Sequence, residues 1–288
     1  MFYLMKMEFF ADTANLDEIK YCFENGVNDG ITTNPKIMES TGDLSKGVDW
    51  AYRKLIEKYP NVPISLETDL RGMDVYRLDE NPEQVKDILL EQAYKLSGLA
   101  NNVVIKIPIS EGGLLATRWL NKEGIKTNVT ACMTPYQALR ASDAGATYVS
   151  LFANRMVDGH ILEMSGNLEK FLDGFDWKNV VKNNAVEYSE KAWGKTLGQI
   201  EYVARKLDGT ESKLIVGSIR SPADIYKIAE RGPQVITIPY GIVCKLKDIE
   251  GIKNIDIKAE SFIGSSINHP MTLLTLDEFE KSADKYRG

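Results

Sequence analysis

Lys106 is the residue around which a chemical reading of this chain forms. It sits in Asn102-Val103-Val104-Ile105-Lys106-Ile107-Pro108, an apolar, strand-like run with a single charge inside it. Alternate residues of a strand point to opposite faces, so Ile105 and Ile107 face one way and Lys106 the other. Lysine is almost never buried without a partner or a purpose. A desolvated amine loses proton affinity and becomes a nucleophile toward ketones and aldehydes, which is Schiff-base chemistry. The same run also suits a lysine that snorkels to the strand end or pairs with a carboxylate.

Other residues suited to chemistry fall at the ends of similar runs. They are Asp12, Asn34, Glu67, Asn128 with Thr130, Ser150 with Arg155, and Ser218 with Arg220. Asn128 and Thr130 are two apart and share a face, as do Ser65 and Glu67. Each has a plain structural alternative. Asp12 could cap a turn, Asn34 could be a turn residue before Pro35, and Arg155 and Arg220 could form surface ion pairs worth little. Their joint occurrence at successive strand ends is what suggests a polar, reactive pocket.

The elements that must position these residues alternate regularly. Strand signals fall at 8–11, 30–33, 62–67, 102–108, 126–130, 147–151, 213–217 and 234–238. Helical signals fall between them at 16–25, 50–59, 83–96, 113–122, 135–144, 185–207 and 222–230, with an irregular stretch expected over 158–184. Such alternation implies parallel strands with helical crossovers. Eight units closing on themselves predict a single (β/α)8 barrel of the TIM type over about 8–239, with a doubly wound open sheet as the alternative. Residues 240–288 read as a C-terminal helical appendage, clearest over 276–286. Barrel active sites lie at the C-terminal ends of the strands, where the polar residues fall.

The chain has 288 residues and is 43% hydrophobic, enough for one domain with a large core. A formal net charge of −6 argues against nucleic acid, which wants a basic face. Cys22, Cys132 and Cys244 are scattered and form no C-x-x-C pair, so neither a disulfide framework nor a zinc site is indicated, and a reducing cytoplasm is expected. The apolar start, with Met1 to Met7 as a lead-in, lacks the longer apolar region and cleavage site of a signal peptide. No stretch approaches the ~20 apolar residues of a membrane helix. Gly194-Lys195-Thr196 lacks the glycine a phosphate loop needs five residues earlier and lies in a predicted helix. His160 and His269 are too far apart in sequence for a helical metal pair and are expected to be structural or solvated.

Several blocks in order resemble the transaldolase family. They are Phe10-Ala11-Asp12-Thr13-Ala14-Asn15, Gly30-Ile31-Thr32-Thr33-Asn34-Pro35, Val104-Ile105-Lys106-Ile107-Pro108, the run from Gly124 to Thr130, and Ala144 to Ser150 followed by Phe152 and Arg155. The resemblance implies a metal-free class I aldolase barrel without a cofactor, and with it a homo-oligomer. It implies Lys106 as the imine-forming lysine and Asp12 as the base toward the C4 hydroxyl. Glu67 with Thr130 would hold the water that shuttles protons. Asn34 and Asn128 would bind the dihydroxyacetone hydroxyls, and Ser150 would line the pocket. Arg155, Ser218 and Arg220 would hold the terminal anion of a sugar phosphate or sugar sulfonate. Glu67 and Phe152 stand where the fructose-6-phosphate aldolase branch has Gln and Tyr, so both resemble transaldolases proper. The family's Ser-Pro-Phe-Val-Gly-Arg is here Ser150-Leu151-Phe152-Ala153-Asn154-Arg155, a departure, as are 158–184 and 240–268, all near the anion end. Three functions are therefore weighed: a dihydroxyacetone transferase, an aldolase releasing free dihydroxyacetone, and a non-catalytic sugar-phosphate binder.

Overall fold

The computed structural model describes residues 7–168, 176–246, 249–252 and 269–286. Eight parallel strands close into a barrel in sequence order. They are β1 (Glu8–Asp12), β2 (Gly30–Thr32), β3 (Ile64–Glu67), β4 (Val103–Pro108), β5 (Thr127–Cys132), β6 (Tyr148–Phe152), β7 (Lys213–Gly217) and β8 (Val235–Ile238). β1 pairs with β8 through Phe9 with Ile236 and Ala11 with Ile238, which closes the ring and rules out the open sheet. The helices are α1 (Leu16–Glu24), α2 (Pro35–Thr41), α3 (Val48–Lys58), α4 (Pro82–Ser97), α5 (Glu111–Lys122) and α6 (Pro135–Asp143). They continue with α7 (Ala153–Met164), α8 (Trp177–Leu207), α9 (Pro222–Ala229), the short α10 (Tyr240–Val243) and α11 (Ile249–Ile252), and α12 (Pro270–Ala283).

The two faces of each strand serve different cores. Phe9, Ile31, Leu66, Ile105, Ile107, Val129 and Val216 point outward and pack on the helices. Phe10, Val104, Tyr148, Ile215 and Val235 point inward and meet as a small apolar floor inside the barrel. Moving two residues along each of these five strands keeps the same inward face. The residues reached are Asp12, Lys106, Ser150, Gly217 and Thr237, and all five line one cavity above the floor. The site is thus a consequence of strand parity. Gly30 belongs to this packing as well, because a Cβ there would lie 2.7 Å from the Phe10 ring.

Several helices start on a repeated device, a capping side chain followed by proline. The side chains of Asn34, Asn81, Thr134 and Ser221 accept from backbone N–H groups of the first turn, and Pro35, Pro82, Pro135 and Pro222 follow. Proline costs nothing at that position, and each cap contributes about 0.5–2 kcal/mol. This fixes where each chain segment turns back from the strand ends.

Some boundaries differ from expectation. The stretch 158–184, expected to be irregular, belongs largely to α7 and to the first turns of α8. Residues 156–162 of α7 are all buried, so the helix shows no one-sided apolar stripe to read. α2 was hidden in the Asn34-Pro35 turn signal and is only seven residues long. α12 starts at Pro270, ahead of the expected 276, and two of its buried positions are Thr272 and Thr275. It packs on α2, α7 and β5 and so lies over the C-terminal mouth of the barrel. The lead-in before Met7 and most of 240–268 lie outside the described residues.

Candidate active site

Glu67 and Lys106 are direct register partners on β3 and β4, and their side chains share the inward face. Lys106 Nζ lies 2.9 Å from Glu67 Oε2, with the two side chains 5% and 2% exposed. The ammonium also donates to the Thr33 carbonyl at 2.9 Å and lies 5.8 Å from the centre of the Phe279 ring. Burying two charges costs several kcal/mol per ion, and their attraction offsets this only with good geometry and further hydrogen bonds. The cost is visible in the carboxylate: burial pushes Glu67 up to about 7, against the pull of Lys106 in the other direction. A carboxylate poised near neutrality beside an amine is suited to take and return its proton.

Asp12 stands at the end of β1, where its Oδ1 accepts from Thr32 Oγ1 at 2.7 Å. Burial raises its pKa, although Lys106 and the Thr32 hydroxyl oppose the shift. Two carboxyls with raised pKa thus flank one lysine, an arrangement fit for acid–base work at a carbonyl carbon.

The other expected residues divide into layers. Asn128 is fully buried, donating to Ser65 Oγ at 3.1 Å and accepting from Ser150 Oγ at 2.7 Å. This chain holds Ser150 at the cavity wall. Thr130 is fully buried and its hydroxyl has no hydrogen-bond partner among the described residues. Asn34 lines the cavity while its Oδ1 caps α2 through Ile37 N at 2.8 Å. Glu67 does not line the cavity itself. It reaches Lys106 from the side and borders a second cavity with Tyr52, Asp69, Gln92 and Tyr286. Phe152 lines the main cavity and packs against Phe279, ring centres 6.3 Å apart.

Ser218, just past β7, lines the cavity mouth with φ +63°, a left-handed conformation that a non-glycine residue adopts at some cost. Arg155 lies in the first turn of α7 rather than on a strand, and reaches the cavity from there. Arg220 borders only the neighbouring basic cavity, half exposed and held by Asp158 at 2.9 and 2.5 Å. Reading the sequence did not identify Thr32, Thr237, Thr275 or Phe279, all of which line the cavity. Thr237 was findable, because it lies two residues past the inward Val235. Thr275 and Phe279 arrive on α12, and nothing in a strand-by-strand reading places that helix over the mouth.

His160 is buried with Nε2 3.0 Å from Gln199 Oε1, and His269 caps α12 by accepting from Met271 N at 3.2 Å. Among the described residues, no three His, Cys, Asp or Glu side chains gather as a metal would need. Gly194-Lys195-Thr196 lies inside α8. No helix among the described residues is long and apolar enough to cross a membrane.

Comparison with known proteins identifies the family. The family model described as transaldolase/fructose-6-phosphate aldolase matches residues 9–287. A probable transaldolase of Thermodesulfovibrio yellowstonii is 31% identical over 284 residues, covering 98% of this chain and 100% of that one. A probable transaldolase of Coprothermobacter proteolyticus is 34% identical over 247 residues, covering 83% of this chain and 88% of that one. A solved structure described as "Native KDPGal structure" aligns with TM-score 0.46 and 13% identity over 99% of this chain and 98% of that one. With the family model matching nearly end to end and relatives of this likeness along the whole barrel, the chain belongs to the transaldolase/fructose-6-phosphate aldolase family.

Proposed function

We propose that the enzyme transfers a dihydroxyacetone unit from a ketose with a terminal anion to an aldehyde, through a Schiff base on Lys106. The observation that carries this reading is the buried Lys106–Glu67 pair at 2.9 Å, set in a polar ring with Asp12. A sugar-phosphate binder has no use for a desolvated amine against a carboxylate with its pKa near neutrality. In the proposed reaction Glu67 takes a proton from Lys106, and the free amine attacks the C2 carbonyl. Loss of water leaves the imine, with Thr130 and Glu67 handling that water. Asp12 then takes the proton of the C4 hydroxyl. The C3–C4 bond breaks, its electron pair enters the imine to form an enamine, and the aldehyde leaves. A second aldehyde accepts the enamine carbon, Asp12 returns the proton, and water releases the new ketose. The imine is the electron sink, so the chemistry needs no Lewis acid.

Asn34 and Asn128 serve the dihydroxyacetone hydroxyls, directly for Asn34 and through Ser150 for the buried Asn128. Arg155 and Ser218 face the far end of the cavity and serve the terminal anion, phosphate or sulfonate, with Arg220 held beside them. Fructose 6-phosphate or a sulfonated analogue such as 6-deoxy-6-sulfofructose fits as donor. Glyceraldehyde 3-phosphate or erythrose 4-phosphate fits as acceptor.

Transfer requires that hydrolysis of the enamine be slower than its capture. A tyrosine hydroxyl at position 152 could orient the hydrolytic water, and Phe152 has none. The test is release of free dihydroxyacetone from fructose 6-phosphate, with and without erythrose 4-phosphate, in wild type and Phe152→Tyr. Wild type is expected to turn over mainly when acceptor is present, and the variant to release more free dihydroxyacetone. Equal release with and without acceptor in wild type would make the enzyme a simple aldolase.

A further inference from the structure

Arg155 is not a vacant anion site. Its Nη2 lies 2.5 Å from Glu278 Oε2, a carboxylate that α12 brings across the mouth from the other end of the chain. Two more cations converge on the same group. Lys36 Nζ is 3.4 Å from Oε2, and Lys178 Nζ is 3.3 Å from Oε1. Arg155 is the most buried of the three cations, its side chain 13% exposed, and its guanidinium stacks 5.3 Å from the centre of the Trp177 ring. Its Nη1 is buried and without a hydrogen-bond partner among the described residues. Arg155 also borders both the lysine cavity and the adjacent basic one, so it stands where a substrate reaching outward from Lys106 must end.

One carboxylate ringed by three cations is how this protein would hold the anion of a ligand. The electrostatics agree: burial would raise the Glu278 pKa, and Arg155, Lys36 and Lys178 together outweigh it and hold the group below the usual carboxylate range. Glu278 is therefore ionised at neutral pH, as a sugar phosphate is. An incoming phosphate or sulfonate meets a fork already taken on one side, and to reach the open Nη1 it must come close to a like charge. The other arginine at the adjacent cavity, Arg220, offers no open fork, because Asp158 engages both of its terminal nitrogens.

We propose that Glu278 is a specificity-determining residue: it occupies the terminal-anion subsite in the free enzyme, and the substrate's anion must displace it from Arg155. This rests on reading Arg155 as the ligand of the terminal anion. A resident competitor lowers the apparent affinity by the fraction of time the subsite is free. It thereby discriminates against anions that cannot offer Arg155 at least as much as the carboxylate does. Displacement also releases one of the ties that α12 makes across the mouth. That helix carries Phe279, which lies beside Lys106, so arrival of the anion and exposure of the amine are linked through one element.

The test separates the subsite from turnover. Inorganic phosphate is titrated against wild type and Glu278→Gln, read by tryptophan fluorescence, because Trp177 stacks on Arg155. The variant keeps the side-chain shape and an oxygen acceptor but loses the charge. Phosphate is expected to bind about ten-fold more tightly to Glu278→Gln, which corresponds to a subsite free about a tenth of the time in wild type. The KM for fructose 6-phosphate is expected to fall by a similar factor, read against kcat. If Glu278 merely positions Arg155, both changes reverse sign, and equal or weaker phosphate binding in the variant overturns the proposal. Glu278→Ala gives the same sign if the amide itself disturbs α12. Failure of the transferase reading would instead appear as no lysine adduct with the ketose, an outcome the phosphate titration does not depend on.

Discussion

Replacing Glu67 with Gln removes the one carboxylate that pairs with Lys106 among the described residues, and the structure says how large and how pH-dependent the effect is. Burial pushes Glu67 up to about 7. At pH 6 about a tenth of such a group is ionised, and at pH 8 about nine tenths. Only the ionised form can accept the lysine proton, so imine formation in wild type should rise about ten-fold from pH 6 to pH 8. An ordinary carboxylate would be fully ionised throughout and would give no step. Glu67→Gln neither titrates nor accepts, so its rate should be flat in this window and about 10²–10⁴-fold lower. That range corresponds to about 3–5 kcal/mol of barrier. The variant also leaves a buried ammonium without its counter-charge, which costs about 3–5 kcal/mol of stability and should show as a lowered denaturation midpoint. The assay is single-turnover mixing with fructose 6-phosphate, quenched with borohydride at intervals and read as protein mass. If Glu67→Gln forms the adduct within ten-fold of wild type and keeps the same pH step, Glu67 is not the proton acceptor.

Two further expectations concern the polar ring and the floor beneath it. Asp12→Asn should still form the imine, because Lys106 and Glu67 are untouched, but C–C cleavage should slow by about 10²–10⁴-fold; near wild-type turnover would leave Asp12 as only a partner for Thr32. Gly30→Ala should lower stability by about 1–3 kcal/mol, because the new methyl would press on the Phe10 ring in the barrel floor, and a denaturation midpoint equal to wild type would show that the floor yields freely.

How far the sequence carried this picture depended on whether the signal was local. Strand parity is local, and it set Lys106 on the face opposite Ile105 and Ile107 and put Asn128 with Thr130 and Ser65 with Glu67 on shared faces. The helix starts at Pro82, Pro135 and Ser221-Pro222 are local as well, whereas the one at Asn34-Pro35 read as a turn. The pairing of Glu67 with Lys106 required the register between β3 and β4, which no single strand contains. α7 escaped notice because it is buried on too many sides to be amphipathic, and its first turn holds Arg155. Glu278 and Phe279 were the least legible, since their contacts with Arg155 and Phe152 span more than a hundred residues and depend on where α12 lands. Arg220 is the case where the chemistry of a residue type was clear and its partner was not, because Asp158 lies on α7.

The central claim is that Lys106 carries the substrate covalently. Wild-type protein is incubated with fructose 6-phosphate, reduced with borohydride, digested and mapped by mass spectrometry. A reduced ketose or dihydroxyacetone adduct should appear on the peptide holding Lys106 and be absent from Lys106→Ala, which should also lose turnover. An adduct on a different lysine, or undiminished turnover in Lys106→Ala, would contradict the account.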